Sequence, residues 1–237
     1  MEEKISVGNE TISVLSHGSS ASKGFCISLH GGGPSTKETS EYLANIFNSL
    51  GVRFVSFDFS GQGDSSGSIE SSSLEKRLNE AIGVIEHVNC VPSFVIGTSM
   101  GGYIAMKLVE GIECQNLILF CPAAYSRKSW KLEFGSGFTA EIRRENSYLE
   151  TDVTRICGEF KGNVILFFGS EDSVIPLKVQ DMYKESFHSA RSTRTVILQN
   201  RPHPIHRWIQ GQPTSRENVE NEVDIFVRNS HLASRST

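Results

Sequence analysis

The chain of 237 residues has no surplus of positive charge: 23 Lys and Arg stand against 27 Asp and Glu, for a net charge of −4. No basic face therefore points to nucleic acid or an anionic membrane as a partner. Its apolar runs are strand-sized, so no stretch is long enough to span a bilayer. The N-terminus, Met1-Glu2-Glu3-Lys4, opens with acidic residues and no apolar segment, and shows no secretory signal. Cys26, Cys90, Cys114, Cys121 and Cys157 are odd in number and scattered, which predicts reduced, structural thiols and a cytoplasmic setting. No Gly-Lys-Ser/Thr follows the glycine-rich stretch, and no G-x-G-x-x-G fits a strand–helix junction, which argues against a nucleotide site. No His, Asp or Glu set has metal-ligand spacing, so neither a metal nor another cofactor is expected.

What is present is a strand–helix rhythm. Alternating residues between 4 and 17 around Gly8-Asn9-Glu10 predict an N-terminal hairpin. Strands are predicted at Lys23 to Leu29, Val52 to Phe59, Ser93 to Ile96 running into Gly97, Asn116 to Phe120, Gly162 to Phe168 and Arg194 to Gln199. Helical spacing marks Thr36 to Leu50, Leu74 to Val88, the segment after Ser99, Leu177 to Phe187 and Arg216 to Arg228. Gly51 supplies a natural helix stop. Nearly continuous apolar strands alternating with helices imply an α/β fold, a mostly parallel sheet of about seven to eight strands covered on both faces. The length suits a single domain over residues 1–237, with two domains as the alternative. The stretch 122–161 breaks the rhythm; its mixed pattern predicts a short lid, and a helix with loops covering the sheet is the plainer alternative.

Sites in such sheets form at the carboxyl ends of the strands. There, Gly97-Thr98-Ser99-Met100-Gly101 has an apolar strand before it and a helix pattern after it, the setting of a G-x-S-x-G nucleophile elbow. The glycines two before and two after the serine leave room for a strained turn. A second match, Gly63-Asp64-Ser65-Ser66-Gly67, lies in a polar Gly/Ser stretch and reads as a loop.

Ser99 needs a base. His17, His87, His188 and His231 fall at predicted surface positions. His203 and His206 follow the last strand, and His203 lies closer to its end. The acid that orients an imidazole is sought in Gly169-Ser170-Glu171-Asp172, where Asp172 is favoured over its neighbour Glu171. The order Ser99, Asp172, His203 is that of the α/β-hydrolase triad. For a developing oxyanion, the donors would be the backbone N–H of Met100 and one from His30-Gly31-Gly32-Gly33. Gly32 is favoured, with Gly31 as the alternate, and His30 reads as a structural residue.

With these motifs in place, the chain resembles an α/β-hydrolase over nearly its whole length. The loop Asp58-Phe59-Ser60-Gly61-Gln62-Gly63-Asp64-Ser65 is similar to the D-x-R-G-x-G-x-S loop of the small-esterase, monoacylglycerol-lipase-like and serine aminopeptidase-like groups. In those groups its Asp and glycines brace the turn beside the oxyanion loop; Ser60 here replaces the arginine. Asn200-Arg201-Pro202-His203 stands where the family has Gly-x-x-His. The resemblance implies acyl transfer to water through an acyl-enzyme on a small-molecule acyl substrate. Thr-Ser-Met at the elbow, not the Gly-Ser-Trp of proline iminopeptidases, favours esters or thioesters. Two other readings stay open: an aminopeptidase or acyl-peptide hydrolase, and a hydrolase-fold binding or receptor protein.

Overall fold

A computed structural model describes residues 1–22 and 24–233, with the side chains of 231–233 left out of the description. The hairpin comes first, with β1 (Glu2–Val7) and β2 (Glu10–His17) joined through Gly8-Asn9. β3 (Phe25–Leu29) follows; Lys23, predicted to open it, lies outside the described residues. The remaining strands are β4 (Arg53–Phe57), β5 (Phe94–Thr98), β6 (Asn116–Phe120), β7 (Asn163–Gly169) and β8 (Ser192–Leu198). They form one open sheet in the order β1-β2-β4-β3-β5-β6-β7-β8. Only the pairings made by β2 are antiparallel; β4 through β8 run parallel.

The helices are α1 (Ala44–Ser49), α2 (Leu74–Val88), α3 (Met100–Gly111), α4 (Ser136–Arg143), α5 (Val153–Glu159), α6 (Leu177–Ser186), α7 (Ile205–Gly211) and α8 (Pro213–Ala233). α1 packs with α8, while α2, α3, α5 and α6 follow one another as a row. β3, β6 and β7 are buried along their whole length, as a sheet covered on both faces requires. The edge strand β8 departs from that pattern: Ser192 to Thr195 are exposed.

The long helix expected over 36–50 is divided. Lys37–Leu43 winds as a tighter 3-10 helix before α1 begins. The Lys37 N–H is drawn to the Asp58 carboxylate at 2.7 Å, which ties the entry of this segment to the loop after β4. The closing helix begins three residues earlier than its apolar spacing suggests, with Pro213 at the first helical position, where a missing N–H costs nothing. α7, which carries His206, has no counterpart among the predicted helices.

Within 122–161 the chain forms a 3-10 turn (Arg127–Ser129), α4, a second 3-10 turn (Ser147–Glu150) and α5. α5 packs on α3 and α6. The earlier part is anchored by aromatic rings: Phe134 meets Phe138 at 4.7 Å, Phe138 meets Tyr125 at 5.8 Å, and Tyr125 meets Tyr103 of α3 at 5.2 Å. Backbone bonds from Phe134 to Ser72 and from Glu75 to Trp130 clip it to the start of α2.

Candidate active site

Ser99 sits between β5 and α3 with φ 53° and ψ −114°, a conformation costly for any residue with a side chain. The turn tolerates it because the flanking glycines let three backbones converge. A Cβ on Gly101 would fall 2.2 Å from the Leu29 carbonyl oxygen, and one on Gly97 would fall 2.6 Å from that of Gly101. Helix geometry leaves the Met100 N–H, at the first turn of α3, without an intrahelical acceptor. Ser65, the competing serine, is a loop residue whose hydroxyl donates to the Asp58 carbonyl and accepts from the Ser13 N–H.

The carboxyl ends of β7 and β8 bring Asp172 and His203 to the elbow. Ser99 Oγ lies 2.9 Å from His203 Nε2, and His203 Nδ1 lies 2.9 Å from Asp172 Oδ2. With Nδ1–H donating to the carboxylate, Nε2 is free to accept from the serine hydroxyl. The Asp172 side chain is fully enclosed. Burial alone would raise its pKa, but the bonds from His203 and from the N–H groups of Ile175 and Val174 outweigh that and hold it below the usual carboxylate range. Glu171 is exposed, and the carboxylate that meets the imidazole is that of Asp172.

His206 is placed elsewhere. It is buried on α7, with Nε2 2.8 Å from Thr98 Oγ1 and Nδ1 3.1 Å from Tyr42 Oη. Burial lowers its pKa to about 3, so it stays neutral. It ties α7, immediately after His203, to the residue preceding Ser99. Of the other histidines, His87 and His188 are exposed, His17 is half-buried, and the side chain of His231 lies outside the described residues.

The glycine loop after β3 lies against the elbow because β3 and β5 are neighbours in the sheet. A Cβ on Gly31 would lie 3.4 Å from that of Ser99, and one on Gly32 would lie 3.2 Å from the Met100 methyl. His30 stands behind the loop: Nδ1 donates to the Gly31 carbonyl, and Nε2 accepts from the Phe59 N–H. Burial takes its pKa down to about 3. The Asp58 loop is bolted beneath. Lys37 Nζ reaches Asp58 at 2.9 Å and Asp64 at 2.6 Å, and a Cβ on Gly63 (φ 51°) would strike the Asp58 carboxylate. A guanidinium does serve this region although Ser60 stands in the motif. It comes from Arg77 of α2, which lies 4.6 Å above the Phe59 ring and 5.1 Å from that of Phe134.

The sequence marks Cys121, at the end of β6, as one structural thiol among five. It is fully buried in a left-handed conformation, φ 43°, uncommon for a residue with a side chain. One donor atom each from Cys121, Asp172 and His203 lie within 4.8 Å of one another. The absence of metal-type spacing in the sequence concealed this cluster, because its members follow three different strands.

The family described as Hydrolase_4, serine aminopeptidase S33, matches residues 20–145, more than half of the chain. The chain belongs to this family of α/β-hydrolases. Similar solved structures agree on the S33 member's fold. A putative hydrolase from Agrobacterium vitis S4 superimposes with a TM-score of 0.71 at 20% identity, covering 95% of this chain and 98% of its own. An esterase from Exiguobacterium antarcticum gives 0.71 at 17% identity, covering 96% and 100%. Among curated proteins, the human mitochondrial palmitoyl-protein thioesterase ABHD10 is 34% identical over 64 residues, 27% of this chain and 21% of the relative. The S33 chain thus matches only about a fifth of that relative's length. Among the described residues, no helix is long and apolar enough to cross a membrane.

Proposed function

We propose that this hydrolase cleaves carboxylic esters or thioesters through a Ser99–His203–Asp172 triad and an acyl-enzyme. The observation that carries the reading is the unbroken line of two 2.9 Å contacts from Ser99 Oγ through both ring nitrogens of His203 to the enclosed carboxylate of Asp172. In this reading His203 Nε2 takes the Ser99 proton as Oγ attacks the substrate carbonyl, then returns it to the leaving alcohol or thiol. Asp172 holds the tautomer with Nδ1 protonated and stabilises the imidazolium that forms. The N–H groups of Met100 and Gly32 receive the developing oxyanion, a contribution of about 2.7–4 kcal/mol per donor. Water, activated by the same imidazole, releases the acyl group.

In this reading the insert over 122–161 is a short cap, and its exposed apolar residues Leu132, Ile142 and Leu149 support an acyl or otherwise apolar substrate portion. The short match to a palmitoyl-protein thioesterase supports thioesters within that class. The five unpaired cysteines fit a reducing, cytoplasmic setting. A second reading, hydrolysis of aminoacyl or acyl-peptide amides, is favoured by the description of the matched family. The test is a side-by-side panel of p-nitrophenyl esters, acyl-CoA and S-acyl cysteine thioesters, and aminoacyl anilides. Faster turnover of esters or thioesters is expected; a clear preference for anilides would overturn the substrate class.

A further inference from the structure

We propose that Cys121, Asp172 and His203 form a binding site for a zinc-like divalent cation, so that such a cation switches the triad off. The three residues follow β6, β7 and β8, adjacent strands that set their donor atoms within 4.8 Å of one another. Tetrahedral zinc, with bonds of about 2.0–2.3 Å, holds its donors roughly 3.3–3.8 Å apart, so small side-chain adjustments close the site. A thiol, an imidazole and a carboxylate suit zinc or cobalt and match poorly the all-oxygen preference of magnesium or calcium. Thiolate and carboxylate together balance the two charges of the cation, so the enclosed site carries no net charge when filled. The His203 side chain, 17% exposed where Asp172 is fully enclosed, gives the path of entry.

The chemistry balances without an oxidant. Burial and the neighbouring Asp172 keep the Cys121 thiol protonated at rest; the cation draws off that proton, which leaves to solvent. The cation takes the Nδ1 lone pair in place of the hydrogen bond to Asp172, and the ring proton moves from Nδ1 to Nε2. Nε2 then donates towards Ser99 Oγ where it previously accepted. A base in that tautomer has no lone pair for the serine proton, and this inhibitory consequence rests on the proposed triad reading.

The test uses the full chain, stripped with EDTA and desalted. Cobalt(II) is titrated while the near-ultraviolet thiolate-to-cobalt charge-transfer absorbance is followed, and zinc then competes it away. One equivalent and a charge-transfer band are expected in the wild type, with loss of the band in Cys121→Ala and of binding in His203→Gln. Should Cys121→Ala fail to fold, His203→Gln, which keeps the thiol, carries the test. A band that survives in Cys121→Ala, binding that survives in His203→Gln, or no binding of micromolar zinc by the wild type would overturn the site. In parallel, hydrolysis of p-nitrophenyl acetate is measured with and without zinc. Wild-type activity should fall and return with EDTA, and the Cys121→Ala rate should not depend on zinc. Cys121-dependent cobalt binding by a protein that hydrolyses nothing would leave the cation site standing and refute the enzyme reading. Ester hydrolysis with metal binding indifferent to Cys121 would do the reverse.

Discussion

Replacing Lys37 by Met should destabilise this protein far more than removal of a surface charge. The Lys37 side chain is 2% exposed and faces Asp58, which is fully buried, at 2.9 Å. Asp64, Glu2 and Glu38 also lie within ion-pair distance, but each is at least half exposed and contributes little. The Asp58 carboxylate therefore depends on Lys37 for its neutralising charge, while its oxygens also accept from the N–H groups of Lys37 and Asp64. Removing one partner of a buried pair costs about 3–5 kcal/mol. For a chain of this size, that lowers Tm by roughly 6–20 °C. Urea unfolding followed by tryptophan fluorescence reads the same quantity as a reduced midpoint with unchanged slope. Adding Asp58→Asn to Lys37→Met should cost less than the sum of the single changes, because the stranded charge is gone. A loss below about 1 kcal/mol for Lys37→Met would mean that water screens the pair as at an open surface, and would refute the bracing assigned to this loop.

Other outcomes follow from the site. His203→Gln should lower ester hydrolysis by roughly ten-thousand-fold or more, whereas His206→Gln, at a residue hydrogen-bonded to Thr98 and Tyr42, should cost much less; the reverse ranking would reassign the base. Acid should destabilise the fold before most carboxylates titrate. His30 and His206 have folded pKa values lowered from 6.5 to about 3, so the unfolded chain binds more protons between those limits. Each can withdraw up to about 1.4 kcal/mol per pH unit as the pH falls below 6.5, and Tm measured from pH 7 to pH 5 should drop steadily, with a smaller drop in His206→Gln. Gly101→Ala should give insoluble or unfolded protein, since its Cβ would sit 2.2 Å from a backbone oxygen; normal expression with full activity would refute the close approach described for the elbow.

The parallel sheet was legible because β5, β6 and β7 are nearly continuous apolar runs that alternate with helical spacing. The boundaries of α2 and β6 fall where the apolar spacing places them. The strand-to-helix turn at Ser99 was legible from the apolar run before it and the helical spacing after it, which also separated it from the loop at Ser65. The choice between His203 and His206 was not settled by position alone. Their separation arises because α7 begins at Ile205 and turns the second imidazole inward, towards Thr98 and Tyr42. The contacts of Arg77, Lys37 and Cys121 were invisible for a common reason: each matters through a partner far away in the sequence. No local period announces that Arg77 lies over Phe59, or that Cys121 neighbours Asp172.

The central claim is that Ser99 is a nucleophile activated by His203. It is tested most directly by treating the protein with a fluorophosphonate and measuring intact mass and the modified peptide. The account predicts one adduct, on Ser99, absent in Ser99→Ala and formed far more slowly in His203→Gln. No adduct on the folded protein, or one carried by another residue and unchanged in Ser99→Ala, would contradict it.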